Sequence, residues 1–208
     1  MTAETIERVK EIKRSFRTVM DGATAQSMRQ KGLDYRLNWG VTIPRLREMA
    51  DETGQDYDLA IALWKEDVRE CKILATMLMP PSEMLPEVAD IWMEQTASIE
   101  IVEQTVMNLF QYLPYAADKA YQWMADERPL YQLAGFHILS RLFMNGQEPN
   151  ERGINEFLDQ ALAAIGGGDL SVRKAALNCV NRFSSLGLVY ERLANSALRS
   201  VGFQGINQ

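Results

Sequence analysis

LAIALWKEDVRECKILATML, residues 59–78, is the stretch whose reading decides the fold. Its apolar residues recur every three or four positions on either side of a short charged break, Lys65 to Asp67. That spacing predicts two amphipathic helices in sequence, since a strand would alternate apolar and polar side chains. Trp64 closes the first helix. The same pattern returns in VADIWMEQTASIEIVEQTVMNLF (88–110) and KAYQWMADERPLYQLAGFHILSRLF (119–143), with Trp92 and Trp123 in the matching place, 28 and 31 residues on. A fourth second helix, SVRKAALNCVNRF (171–183), follows the glycine run Gly166 to Gly168. Gly32, Gly40, Pro44, Gly54, Pro80-Pro81, Pro114, Pro129 and Gly146 to Pro149 supply further breaks, so the chain divides into about a dozen helices joined by loops too short for crossovers. The expected fold is all-α, an α-solenoid of HEAT-like or armadillo-type helix pairs whose second helices line the binding face. One domain spans residues 1–208, with a weakly ordered tail from about residue 201.

Composition bounds the function. With 208 residues, 47% hydrophobic and 24% charged, the chain can bury one continuous stack. Cys71 and Cys179 lie far apart and share no metal-type spacing with the only histidine, His137. That argues against a disulfide framework or a zinc site and suits a reducing compartment. The beginning, TAETIERVKEIKRSF, reads as a charged amphipathic helix and not as a signal peptide. No apolar run approaches the ~20 residues of a membrane span. The expected protein is cytoplasmic, with no membrane partner, no metal and no cofactor.

The net charge of −6 conceals a division. Residues 1–50 carry ten Lys/Arg against six Asp/Glu, residues 51–105 three against thirteen, and residues 106–208 nine against nine. Lys10, Lys13, Arg14 and Arg17 fall on one stripe of the first helix, beside an apolar stripe of Val9, Ile12, Phe16, Val19 and Met20. The basic stripe is either a solvated helix face or an anion-binding face. The acidic middle segment would suit a protein partner.

Phosphate-loop, dinucleotide-binding, HExxH and CxxC motifs are all missing, and the glycine run at 166–168 reads as a linker. His137 shares a face with Leu133, Ala134 and Arg141 and reads as structural. One acid stands apart. Glu103 has Ile99, Val106, Met107 and Phe110 as its helical neighbours, so it interrupts an apolar stripe, whereas Glu100, Gln104, Asn108 and Gln111 share a polar face. A carboxylate so placed is either tied into an ion pair with a neighbouring repeat or faces a cleft as a site residue.

The segment LNWGVTIPRLREMADETGQDYDLAIALWKEDVRECKILATMLM (37–79) resembles the bacterial DNA alkylation repair family, the HEAT-like-repeat alkylpurine DNA glycosylases. The likeness rests on Gly40 to Arg47 and on Arg69 to Ala75, and continues more weakly to about residue 186. It implies a right-handed superhelix of helix pairs whose concave face holds duplex DNA, with N3- or N7-alkylated purines as substrates. Carried over by position, Arg47 contacts a phosphate, Arg141 and Arg182 supply later phosphate contacts, and Glu103 stands where the family's catalytic Asp supports the departing glycosidic bond.

The resemblance is fuller in the scaffold than in the active-site side chains. Ile99-Glu100 replaces the family's Trp-Asp pair, Asn178 or Cys179 replaces a second Trp, and Gln132-Leu133 replaces an Arg-Arg pair. Those tryptophans hold the cationic sugar and base by cation–π contact. The first expectation is therefore a duplex-DNA-binding member with little or no glycosylase activity. An active alkylpurine glycosylase and a protein-interaction scaffold without nucleic acid are the alternatives.

Overall fold

A computed structural model describes residues 2–33, 35–200 and 202. The tail expected from about residue 201 lies outside the described residues, apart from Gly202. The described residues are all-helical, with twelve α-helices and no strand. They gather into two compact units divided after Pro114.

The first unit holds α1 (Ala3–Thr18), α2 (Gly22–Gln30), α3 (Ile43–Thr53), α4 (Tyr57–Trp64), α5 (Arg69–Leu78), α6 (Pro86–Glu94) and α7 (Ile99–Asn108), closed by a 3-10 turn at Phe110–Tyr112. Helix starts follow from local chemistry. The side chains of Thr2, Asp21, Asp56 and Ser98 accept backbone N–H groups at the starts of α1, α2, α4 and α7. Proline, which lacks the N–H that a first turn leaves unbonded, opens α3 and α6. The helices stack layer on layer: α1 packs on α4, while α3, α5 and α7 pack in succession.

Trp64 and Trp92, the repeat-equivalent residues, are buried and stack face to face, with ring centroids 4.1 Å apart and planes parallel. The Trp64 indole N–H donates to Gln95 Oε1 at 2.8 Å, so its polar edge is satisfied inside the stack. In α1, Val9 and Phe16 are buried, but the helix ends at Thr18. Val19 and Met20, read as part of its apolar stripe, lie beyond it and are exposed.

The second unit holds α8 (Ala116–Met124), α9 (Pro129–Met144), α10 (Glu151–Gly166), α11 (Leu170–Ser184) and α12 (Leu188–Ser200). Here α9 packs against α8 and α11, and α10 against α11. Phe143, Phe157, Phe183 and Tyr190 form an aromatic cluster with centroids 5.1–5.6 Å apart. After the glycine run, Asp169 starts α11 by accepting the N–H groups of Ser171 and Val172 at 2.8 and 2.9 Å. Asp169→Ala removes that cap and is expected to lower stability by about 1 kcal/mol, read as a shift in urea midpoint.

Candidate nucleic-acid interface

Helix α7 carries the acid singled out in the sequence, and its faces are not where a helical wheel alone puts them. Ile101, Val102, Thr105 and Val106 form the buried face. Glu100, Gln104 and Asn108 are half-buried, and α5 offers polar partners to Glu100 and Asn108. Asn108 Nδ2 donates to Thr76 Oγ1 at 2.9 Å, and Glu100 meets Arg69. The outward stripe is Ile99, Glu103 and Met107, all exposed. Glu103 thus sits between two exposed aliphatic side chains and does not interrupt a core stripe. The protein crowded about its carboxylate raises its pKa, and the nearby charge of Glu100 adds to the rise.

Beneath this face lies a charge network that the sequence reading did not find. Arg69, at 1% exposure, opens α5. Its Nη2 and Nε donate to the Glu100 carboxylate at 2.6 and 2.9 Å, and its Nη1 donates to Val41 O at 3.0 Å. Tyr35 donates its hydroxyl to Glu100 Oε2 at 2.5 Å. Burial pushes the Glu100 pKa up, but the bonds from Arg69 and Tyr35 and the charge of Arg69 outweigh it and hold the carboxyl below its ordinary range. Burial and the Glu100 bond raise the Tyr35 phenol, keeping it a donor. Glu70, fully buried, accepts the N–H groups of Trp39 and Val41 at 3.2 and 3.3 Å.

The network therefore clamps the loop that leads into α3. Gly40 in that loop has φ +73°, and a Cβ there would come within 2.2 Å of Asp21 O. The segments Gly40–Arg47 and Arg69–Ala75, separate marks in the sequence, are two sides of one contact. One local signal pointed to it: an arginine in the first turn opposes the helix dipole, so Arg69 needed a specific partner.

The basic residues fare differently. Arg47 stands exposed on α3 and forms no ion pair with a described residue. The α1 stripe is largely compensated: Lys10 and Arg14 hold Glu7, and Lys13 pairs with Glu66 at 2.6 Å, which leaves Arg17 exposed without an acidic partner among the described residues. Arg141, half-buried on α9, approaches Met144 Sδ. Arg182 is exposed on α11, the helix that packs on α9. Charge in this unit separates by layer. Arg173, Lys174 and Arg182 make α11 wholly basic, whereas Glu151, Glu156 and Asp159 outnumber Arg152 on α10.

No tryptophan stands on the outward stripe of α7. Trp64, Trp92 and Trp123 are core residues, and Trp39 packs on Phe16 at 5.5 Å. Of the residues that the sequence resemblance sets against other site positions, Leu133 and Cys179 are buried and Asn178 is exposed. His137 is half-buried, and burial lowers its pKa. Among the described residues no group of three His, Cys, Asp or Glu side chains could hold a metal, and no helix is long and apolar enough to cross a membrane.

The sequence profile of the DNA alkylation repair enzyme family matches residues 12–177. The fold matches a solved structure with a TM-score of 0.82 and 17% identity, covering 96% of this chain and 85% of that one. That structure represents a new family of proteins related to the HEAT-like repeat DNA glycosylases, with affinity for branched DNA structures. No curated protein sequence is a significant match.

Proposed function

Because this chain belongs to the DNA alkylation repair enzyme family, we propose that it is a cytoplasmic protein that binds duplex DNA on its second helices and has little or no glycosylase activity. The observation that carries this reading is the outward stripe of α7, where Glu103 is flanked by Ile99 and Met107 and by no aromatic ring on that stripe. A carboxylate alone offers charge to a developing oxocarbenium ion, but the aromatic faces that would hold the cationic sugar and base in place are not on this helix. Glu100, the other acid of α7, is held ionised by Arg69 and spent on structure. Arg47 and Arg182, neither in an ion pair among the described residues, support backbone contacts to phosphate together with the basic α11. The free thiols of Cys71 and Cys179 support a reducing location.

Fluorescence anisotropy with a labelled plain duplex tests the binding arm. Affinity is expected to fall steeply between about 50 and 200 mM salt, because each neutralised phosphate releases counterions. Arg47→Glu should weaken binding at least about tenfold and flatten the slope by about one phosphate or more. A four-way junction belongs in the same titration, since the structurally similar family has affinity for branched DNA. Weak binding insensitive to salt, with Arg47→Glu indistinguishable from the parent chain, would contradict the reading.

A further inference from the structure

The second unit has a cavity in its other layer. It has a volume of about 380 Å³ and lies between α8, the end of α9 and the start of α10. Leu139, Leu142 and Phe143 form its buried floor. Asp118, Glu148 and Glu156 stand at its rim against a single cation, Arg152. A shallower strip continues along α10 past Glu151, Asn155 and Asp159.

We propose that this cavity and strip dock a short basic segment of a partner protein, with an arginine or lysine stem lying over the apolar floor and its head among the carboxylates. Charge complementarity carries the assignment. Some carboxylates of the first unit hold cations, Asp56 with Arg8, Glu66 with Lys13 and Glu100 with Arg69. Asp118, Glu151, Glu156 and Asp159 have no such ion pair among the described residues. Uncompensated carboxylates beside an apolar floor match a side chain that is a hydrocarbon stem with a cationic head. They repel phosphate, so the surface is unsuited to nucleic acid. The volume is near the low end for ligand clefts, about 300–1,000 Å³, and takes one or two long side chains.

The wall is also preformed. The Tyr121 hydroxyl donates to Gly153 O at 3.0 Å, and Asn150 Oδ1 accepts the Gly153 N–H at 2.8 Å. A Cβ at position 153 would lie 2.8 Å from Tyr121 Oη, so glycine permits the approach of α8 to α10. A preformed wall spares the ordering that a flexible site would require on binding.

The test uses the full chain and a short labelled peptide of alternating arginine and leucine, with glutamate–leucine and all-arginine peptides of equal length as comparisons. The arginine–leucine peptide should bind saturably and the glutamate–leucine peptide should not. Asp118→Lys combined with Glu156→Lys should weaken binding by at least about tenfold, with the melting temperature and duplex binding retained. Ala117→Phe should weaken it too, by filling the cavity without altering charge; if that variant fails to fold, the charge reversal decides alone. The proposal is overturned if no saturable binding occurs, or if the charge reversal leaves affinity unchanged. It is also overturned if the all-arginine peptide binds as tightly as the arginine–leucine peptide, or if spermine displaces the peptide at equal concentration. Duplex DNA is not needed for this binding, so peptide binding without DNA binding would sustain the proposal while removing the DNA reading.

Discussion

Arg69→Ala is expected to lower the unfolding free energy by about 3–5 kcal/mol, the largest effect of any single substitution considered. The magnitude comes from what is left behind. Arg69 is 1% exposed and answers two carboxylates, Glu100 by a two-pronged bond and Glu70 at 3.3 Å. Without it both acids remain in the interior, and Val41 O loses a donor. A double replacement, Arg69→Met with Glu100→Gln, should recover part of the loss, because it removes a buried charge along with its partner. The pair also sets an acid limb. Glu100 has a depressed folded pKa, so its contribution is complete above the ordinary 4.5 and is lost as pH falls through the lowered value. The gap between the parent chain and Arg69→Ala should therefore be wide at neutral pH and narrow in acid. Urea titrations at pH 7 and at about pH 3 would read this, and a gap that widened in acid would contradict it.

Gly40→Ala is expected to cost about 2–4 kcal/mol, for two reasons that a second substitution separates. The φ of +73° is strained for any residue with a side chain. The added Cβ would also meet Asp21 O at 2.2 Å and Ala25 N at 2.9 Å, both backbone atoms that cannot rotate away. Gly54 has nearly the same φ, +74°, with nothing within 4 Å of a Cβ. Gly54→Ala should therefore cost only the conformational part, about 1–3 kcal/mol at its φ of +74° and ψ of 174°, a region open essentially to glycine alone. The difference between the two variants measures how tightly the loop before α3 is held. Since that loop leads directly into the helix carrying Arg47, Gly40→Ala should weaken duplex binding more than Gly54→Ala does. Equal losses from the two variants would mean that the loop yields and the clamp is loose.

The helix pairs were legible because their cause is local. Apolar spacing, proline at helix starts and capping Asp, Ser and Thr residues all act within a few positions of one another. Trp64 and Trp92 were legible as repeat marks, and their face-to-face stack explains why the same residue recurs. What escaped was every feature set by a distant partner. The polar face of α7 turns inward because α5 places Arg69 and Thr76 opposite it, and no wheel drawn on α7 contains those residues. Glu103 consequently moved from a core stripe to an exposed one. Lys13 looked like part of an anion-binding stripe, but Glu66, more than fifty residues later, meets it at 2.6 Å. Glu70 and Tyr35 gave no local sign of their roles, which depend on a loop whose path follows from a single glycine.

The central claim, DNA binding without appreciable base excision, is met most directly by one paired measurement. Duplex DNA alkylated with a methylating agent is mixed with excess protein, and bound DNA and released 7-methylguanine are followed together. The account predicts that DNA is retained, that retention falls steeply with salt, and that release stays at the rate of the protein-free control. Release well above that control, lost on Glu103→Gln while binding persists, would contradict it and make Glu103 a catalytic residue.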